Sequence, residues 1–276
     1  MDGAAKPPRL FPNRWADAVG PGNLLAGYDR CTCFDQFHVQ AAGQDVRFHG
    51  ERQDTSAPGW QHLLALVEEA AADGREVFRP LVEMSPQERR QVVTLPVTIS
   101  KLTAVSHLVL YRSNLVRLPP EIGAMTSLEE FSPYTSARLH WFPYELTRCR
   151  NLVRSTVSTR SIFGNYKYRP PFPGLRRGPA PAGDLDPGLW GATFIRTCSV
   201  CDGPITKWGA RQVWLSARVA TDVLPLLVNA CSDACVEALP PGAEGYIPLP
   251  HTGGRAIVQP AVRGGLDRWV TAADDA

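Results

Sequence analysis

Between residues 58 and 74, the apolar residues follow a helical spacing. From Trp60 to Val67 they recur at i, i+3, i+4 and i+7, which places them on one face of an α-helix. Pro58 precedes this stretch and Gly74 follows it, and such residues commonly begin and end helices. The pattern therefore predicts an amphipathic helix whose apolar face packs into a core.

The segments on either side predict other elements. Arg30 to Gln40 alternates in a strand-like way, and Asp45 to His49 is a candidate hairpin partner for it. Farther along, Ser85 can cap a helix while Glu88 reaches back to the cap amide, as in a capping box. We therefore predict an α+β region over residues 1–84 and a helix beginning at Ser85.

A longer period begins at Val92. A Leu-Pro or Phe-Pro pair starts at Leu95, Leu118 and Phe142, at steps of 23 and 24 residues. Agreement at one period over this many columns indicates three repeated structural units. The further matching columns are Leu102/Met125/Cys149, Val105/Leu128/Leu152, Leu108/Phe131/Ser155 and Leu110/Pro133/Val157.

Residues 92–160 resemble leucine-rich-repeat proteins. The family pattern L-x-x-L-x-L-x-x-N-x-L-x-x-L-P runs from Val105 to Pro119, with Ser113 where the family usually has asparagine. The resemblance implies a short solenoid in which neighbouring units share a core, so both ends need covers. Pro133 lies in a strand column and should leave that strand irregular, because proline lacks the N–H donor.

Four of the seven cysteines form two closely spaced pairs. Cys198 and Cys201 are separated by two residues, and Cys231 and Cys235 by three. Paired spacings in a chain without an evident export segment favour a metal site over disulfides. Between the pairs, residues 205–208 and 212–215 are two short strand candidates joined at Gly209-Ala210.

This second pattern resembles treble-clef zinc fingers, in which a knuckle and a hairpin are followed by cysteines at a helix start. The resemblance implies one structural Zn²⁺ per chain, bound by Cys198, Cys201, Cys231 and Cys235, with no ligand position open for catalysis. Cys231 and Cys235 are separated by three residues where many treble-clef zinc fingers have two, so the spacing does not identify the subfamily. An iron–sulfur cluster, or ordinary buried or redox-active cysteines, are the alternatives.

The remaining cysteines leave a choice between packing and chemistry. Cys31 and Cys33, with His38 and His49 nearby, suit either a second metal site or core cysteines on a buried strand, and we favour the core interpretation. An enzyme centred on this Cys/His cluster is a further alternative, although no phosphate loop, nucleophile elbow or zinc-protease helix is found. Cys149 falls in an apolar repeat column and is predicted to be buried.

Composition narrows the class of protein. The chain has 276 residues and a net charge of +2, which argues against wholesale disorder and against a polycationic DNA-coating protein. No apolar stretch suits a signal peptide or a membrane span, so we expect a cytoplasmic protein without membrane contact. Its fold is expected to be α+β, with the solenoid capped by an N-terminal α+β region and a C-terminal zinc-finger module.

We divide the chain into five parts. The N-terminal region is followed by the repeats with their capping helix, a linker rich in proline and glycine, the zinc-binding module and a tail. In residue numbers these parts are 1–84, 85–175, 176–190, 191–250 and 251–276.

The predicted function is non-catalytic recognition by a binding or adaptor protein, most plausibly of a protein partner. In the repeat register, Tyr111, Tyr134 and Arg154 flank the inward-facing residues on the concave side, where aromatic and arginine side chains favour binding. Arg160 is a further candidate contact. The oligomeric state is left open.

Nucleic-acid binding is an alternative. The stretch 138–177 interleaves arginines with aromatic residues, and between residues 131 and 183 nine basic residues face a single acid, Glu145. Such a mixture can hold phosphate while aromatic rings stack on bases. An acidic protein surface would suit the same charge.

Overall fold

The computed structural model describes Cys31, Cys33 and residues 46–180, 196–206 and 209–261. Within these ranges the fold is mixed α/β, with few helices and two four-stranded sheets, one wholly parallel and one mixed. The helices are α1 (Pro58–Asp73), α2 (Pro80–Glu83), α3 (Pro86–Arg90) and α4 (Asp233–Glu237), with 3₁₀ helices η1 (Val97–Lys101), η2 (Pro120–Ala124) and η3 (Tyr144–Arg148). The strands are β1 (Val77–Phe78), β2 (His107–Val109), β3 (Glu130–Ser132), β4 (Phe142–Pro143), β5 (Arg154–Ser155), β6 (Pro179–Ala180), β7 (Ala210–Val219) and β8 (Asp222–Ala230).

Helix α1 confirms the amphipathic prediction. Trp60, Leu63 and Val67 are buried on its inner face. Pro58 stands in its first turn, and Gly74 ends it with a φ of 67°, a left-handed conformation that glycine adopts without a Cβ clash. The spacing of apolar residues therefore fixes both the helix and the face that it buries.

Helix α3 carries the predicted capping box. The Ser85 hydroxyl accepts from the backbone N–H of Glu88, and the Glu88 carboxylate accepts from the backbone N–H of Ser85. The helix covers only five residues, because its role is to turn the chain into the first repeated unit. Gln91, at its C-cap, accepts from the N–H of Gly59 and so joins it to α1.

The three repeated units share one backbone course. The 3₁₀ helices η1, η2 and η3 begin at equivalent positions, and β2, β3 and β5 pair in parallel with one register, in which His107 faces Glu130 and Glu130 faces Arg154. Strand β1 adds a fourth strand to the edge of this sheet, which the repeat pattern did not predict. The inward residues Leu108, Leu110 and Leu118 are buried, as expected.

Strand β3 shows the effect of its proline. It ends at Ser132, and Pro133 lies outside it, as the missing donor predicts. Two residues later Thr135 has a φ of 58°, so the backbone turns away at once. The chain then returns through the buried Leu139 to β4, which joins the second sheet and not the first.

The hairpin between the cysteine pairs differs from the prediction. The candidate at residues 212–215 lies inside β7, which is longer and pairs with β8 across Ala220-Thr221. Of the candidate at 205–208, residues 205 and 206 are not in a strand, and the other two lie outside the described residues. The glycine at position 209 predicted a turn there. The turn of the hairpin contains no glycine, and its Ala220 has a φ of 51°. Strand β8, which contains Pro225, is an inner strand of the mixed sheet, between β4 and β7.

A single large core joins the repeats to this hairpin. The buried residues run from Leu63 in α1 through Leu108 and Phe142 to Val219 and Leu226. Parallel pairing of β4 with β8 makes the same connection through the backbone. The five-part division made from sequence remains a prediction. Within the described ranges, no helix combines the length and apolar character that a bilayer crossing requires.

Candidate metal centre and strand face

The two cysteine pairs converge at one end of the hairpin. Cys198 and Cys201 sit on a tight turn, in which the N–H of Cys198 donates to the carbonyl of Gly203. Cys231 directly follows β8, and Cys235 lies in α4, where its N–H donates to the side chain of Ser232, the helix cap. The turn, the strand end and the short helix therefore bring all four thiols together.

The distances between the four sulfur atoms suit a shared ion. The Sγ of Cys231 lies 3.6 Å from the Sγ of Cys201 and 3.6 Å from that of Cys235, and all four sulfurs lie within 4.8 Å of one another. A disulfide needs about 2.0 Å, so these are free thiols. In a tetrahedron with metal–sulfur bonds of about 2.3 Å, sulfurs are about 3.8 Å apart, close to the observed separations.

Electrostatics at the cluster favours a bound cation. Burial opposes ionisation of Cys198, but backbone N–H groups including those of Val200 and Cys231 point at its sulfur, and together they lower the pKa of Cys198 to about 7. Hydrogen bonds with the thiols of Cys235 and then Cys201 raise the pKa of Cys231 to about 12. Four thiols this close cannot all ionise alone, whereas a divalent ion would stabilise every thiolate.

The cluster can therefore hold a metal ion, and four soft sulfur ligands are consistent with zinc. Cys198 packs against a small cluster of buried apolar residues, which includes Val213, Leu215, Val228 and Leu239. With four protein ligands, no coordination position is left for a substrate. The arrangement suits a structural ion.

The third repeated unit holds the cysteine turn in place. Arg148, at the end of η3, donates to the carbonyl of Ser199 at 3.0 Å and pairs with Asp202 at 2.6 Å. Glu145, from the same 3₁₀ helix, is 3% exposed, and its burial raises its pKa although a hydrogen bond with Ser199 acts in the opposite direction. The cysteine cluster is thus anchored on the repeats.

The parallel strands present the residues proposed for binding. Tyr111 and Tyr134 stack with ring centroids 6.2 Å apart, but Tyr111 is only 9% exposed and Tyr134 is 39% exposed. Beside them runs a polar row, in which Glu130 lies 3.7 Å from His107 and 3.1 Å from Arg154. The face therefore combines one exposed ring, supported by a second, with charges of both signs.

The basic stretch 138–177 does not form one surface. Arg138 is buried and pairs with Glu51. Arg148 donates a hydrogen bond to the cysteine turn. Arg169 lies 4.7 Å from the ring centroid of Tyr246. Arg160 is exposed and lies 5.7 Å from the ring centroid of Tyr168. Several of the nine cations therefore hold the fold together.

The N-terminal cysteines lie beside His49, one of the two histidines that the sequence suggested as their neighbours. Cys31 and Cys33 are only partly buried and lie beside His49, so the interpretation as cysteines of a buried strand face is wrong. The fourth member is His140, which sequence reasoning missed, while His38 lies outside the described residues. One signal was available, since His140 occupies the column of Val93 and Val116, where the other units have valine.

Comparison with known proteins gives no assignment. No protein-family model matches the chain, and none of the curated proteins shows significant sequence similarity to it.

Proposed function

We propose that this chain is a non-catalytic binding or adaptor protein, in which a short leucine-rich-repeat solenoid presents a recognition surface and a structural zinc finger closes its end. The observation that carries the proposal is the parallel strand face, on which Arg154 is exposed in the row of Glu130, while Tyr134 is 39% exposed just beyond the end of β3. Exposed tyrosine and arginine are the side chains most often found at binding hot spots.

The solenoid assignment is supported by the repeated backbone course. Each unit places a strand, a buried leucine or phenylalanine column and a 3₁₀ helix at matching positions. Polar side chains hold neighbouring units together, as where the Ser113 and Ser136 hydroxyls lie 2.7 Å apart. Ser113 fills the position where the family usually has asparagine, and its N–H and hydroxyl bond to Ser136 of the next unit.

The zinc-finger assignment is supported by the order of elements around the cysteines. A cysteine turn, a hairpin and a capped helix carrying Cys235 follow one another as in a treble clef. Zinc is the ion that four tetrahedral thiolates select most readily. We assign it a structural role because the ligand set is complete, and the reduced thiols suit a cytoplasmic location.

A protein partner fits the strand face better than nucleic acid. Glu130 lies within the polar row and pairs with Arg154, so a polyanion would meet a carboxylate at the centre of the face. Several arginines outside the face are engaged in the fold, as described above. A partner with both charges and an apolar contact for Tyr134 would complement the surface.

The test is partner capture with paired variants. The full chain would retrieve partners from the native cytosol with and without nuclease treatment, and the affinity of the dominant partner would then be measured for Tyr134→Ala and Arg154→Ala. Loss of a hot-spot side chain should weaken binding roughly tenfold or more. Tyr166→Ala is the matched control, since Tyr166 is 48% exposed and lies outside the strand rows.

Two results would overturn the proposal. Capture that disappears with nuclease would indicate nucleic acid, and equal affinity for wild type, Tyr134→Ala and Arg154→Ala would remove the strand face as the binding surface.

A further inference from the structure

Four potential metal ligands meet at a second place, separate from the cluster of Cys198, Cys201, Cys231 and Cys235. The Nε2 of His140 lies 3.0 Å from the Sγ of Cys31 and 3.2 Å from the Nε2 of His49. The Nε2 of His49 lies 3.4 Å from the Sγ of Cys31 and 3.3 Å from that of Cys33. All four ligand atoms lie within 4.8 Å of one another.

These separations match the edges of a zinc tetrahedron. With bonds of about 2.3 Å to sulfur and about 2.0–2.1 Å to nitrogen, a sulfur and a nitrogen ligand are about 3.5 Å apart and two nitrogens about 3.3 Å apart. The observed distances of 3.0 to 3.4 Å fall close to these values. Two sulfur and two imidazole ligands complete a structural zinc set.

The outer nitrogens of both imidazoles point to acceptors. The Nδ1 of His140 lies 2.5 Å from the carbonyl oxygen of Ser161, and the Nδ1 of His49 lies 3.2 Å from a carboxylate oxygen of Glu51. A carbonyl and a carboxylate can only accept, so each Nδ1 donates its hydrogen outward and each Nε2 faces the cluster. Such outer partners orient metal-binding histidines.

The two Nε2 atoms face each other at 3.2 Å, and His140 is 1% exposed. A zinc ion would bind both nitrogens and both sulfurs at once. The cluster therefore has the ligand types, the spacing and the outer hydrogen-bond acceptors of a metal site.

The cluster sits where an extended segment crosses the repeats. Within residues 46–53, the segment that contains His49, the carboxylate of Glu51 pairs with Arg138 and its carbonyl accepts from Arg117. Farther along, the Gln53 side chain accepts from the N–H of Val93 at 2.9 Å. The segment therefore contacts all three units in turn.

A metal ion here would close a long loop. Cys31 and His140 are 109 residues apart in sequence, and they do not belong to the same helix or strand. Cross-linking distant positions restricts the unfolded chain and so stabilises the native arrangement. We propose that Cys31, Cys33, His49 and His140 bind a second structural zinc ion, which fastens the N-terminal segment across the repeats.

Metal counting by native mass spectrometry of the full chain tests the site. Cys33→Ser removes one partly buried ligand and should lower the zinc content by one ion relative to wild type. Cys201→Ser should remove a different ion, and the double variant should hold none. His62→Gln is the matched control for histidine loss, because His62 pairs with Glu88 away from the cluster and should leave the count unchanged.

Cobalt gives a second readout that does not depend on counting alone. The Cys201→Ser variant loaded with Co²⁺ should keep the absorption of cobalt–thiolate bonds, and adding Cys33→Ser should abolish it. An unchanged zinc count in Cys33→Ser, or no thiolate absorption in Cys201→Ser, would overturn the second site. Failure of the first site would appear instead as a count that Cys201→Ser does not change.

Discussion

At the scale of single residues, stability depends on a few deeply buried side chains. Leu118 is 2% exposed and stands in the core column with Leu95 and Phe142. Leu118→Ala would leave a cavity that rigid neighbouring units cannot fill, and it should cost about 2–5 kcal/mol in free energy of unfolding. Denaturant titration measures this. Leu249→Ala is the control, because Leu249 is 69% exposed, and an equal loss in both variants would contradict the assigned packing.

His251 provides a pH prediction at the same scale. Burial lowers its pKa to about 4 from the usual 6.5. Its Nδ1 accepts from the N–H of Gly253, and its Nε2 is buried with no hydrogen-bond partner among the described residues. Because the folded pKa lies below the unfolded value, its contribution to stability is complete above pH 6.5 and is lost as the pH falls towards 4.

Imidazole NMR shifts would measure this directly. His251 should still be neutral at about pH 5.5, where an ordinary histidine is mostly protonated. A titration midpoint near 6.5 would show that the ring is solvated.

The candidate sites show which residues a sequence can identify. Cys198 and Cys201 were recognisable because a metal turn needs two cysteines close together in the chain. His140 was not, since it meets Cys31 only through folding, across 109 residues. Local spacing carries no information about ligands that different elements supply.

At the scale of elements, the close approach of successive 3₁₀ helices sets the spacing of the repeats. A Cβ on Gly123 of η2 would lie 2.6 Å from the backbone oxygen of Glu145 in η3. Gly123→Ala must therefore push the two units apart, and the thermal midpoint should fall by several degrees, corresponding to about 1–3 kcal/mol. Gly174→Ala should have little effect, because its nearest neighbour lies 3.7 Å away. Equal midpoints for the two variants would argue against this contact.

The elements that sequence could predict are those with a local cause. The helical spacing of α1, the capping box of α3 and the 23–24-residue period each depend on residues close in the chain, and the structure contains all three features. The hairpin was predicted with its turn in the wrong place, and β8 was not predicted, because it contains Pro225 and its turn lacks glycine. Strand β8 forms by pairing with β7 and with β4, and the pairing with β4 joins residues far apart in the chain.

At the scale of the whole molecule, the hairpin and the repeats share one core and one mixed sheet. The cysteine cluster closes the far end of that hairpin, where Cys231 follows β8 and the cysteine turn is held by Arg148. If a metal ion binds there, it contributes folding energy to this end of the molecule. We propose that this ion is structural and holds the hairpin end against the third unit.

Hydrogen exchange of wild type and Cys201→Ser, read peptide by peptide, tests this claim most directly. The variant should lose its metal and exchange faster over residues 196–206 and at the ends of β7 and β8 nearest the cysteines. Helix α1 should keep its protection, because it packs against α3 and η1. Metal loss with unchanged exchange around the cysteines, or a metal-free wild type with the same protection, would contradict a structural metal at this position.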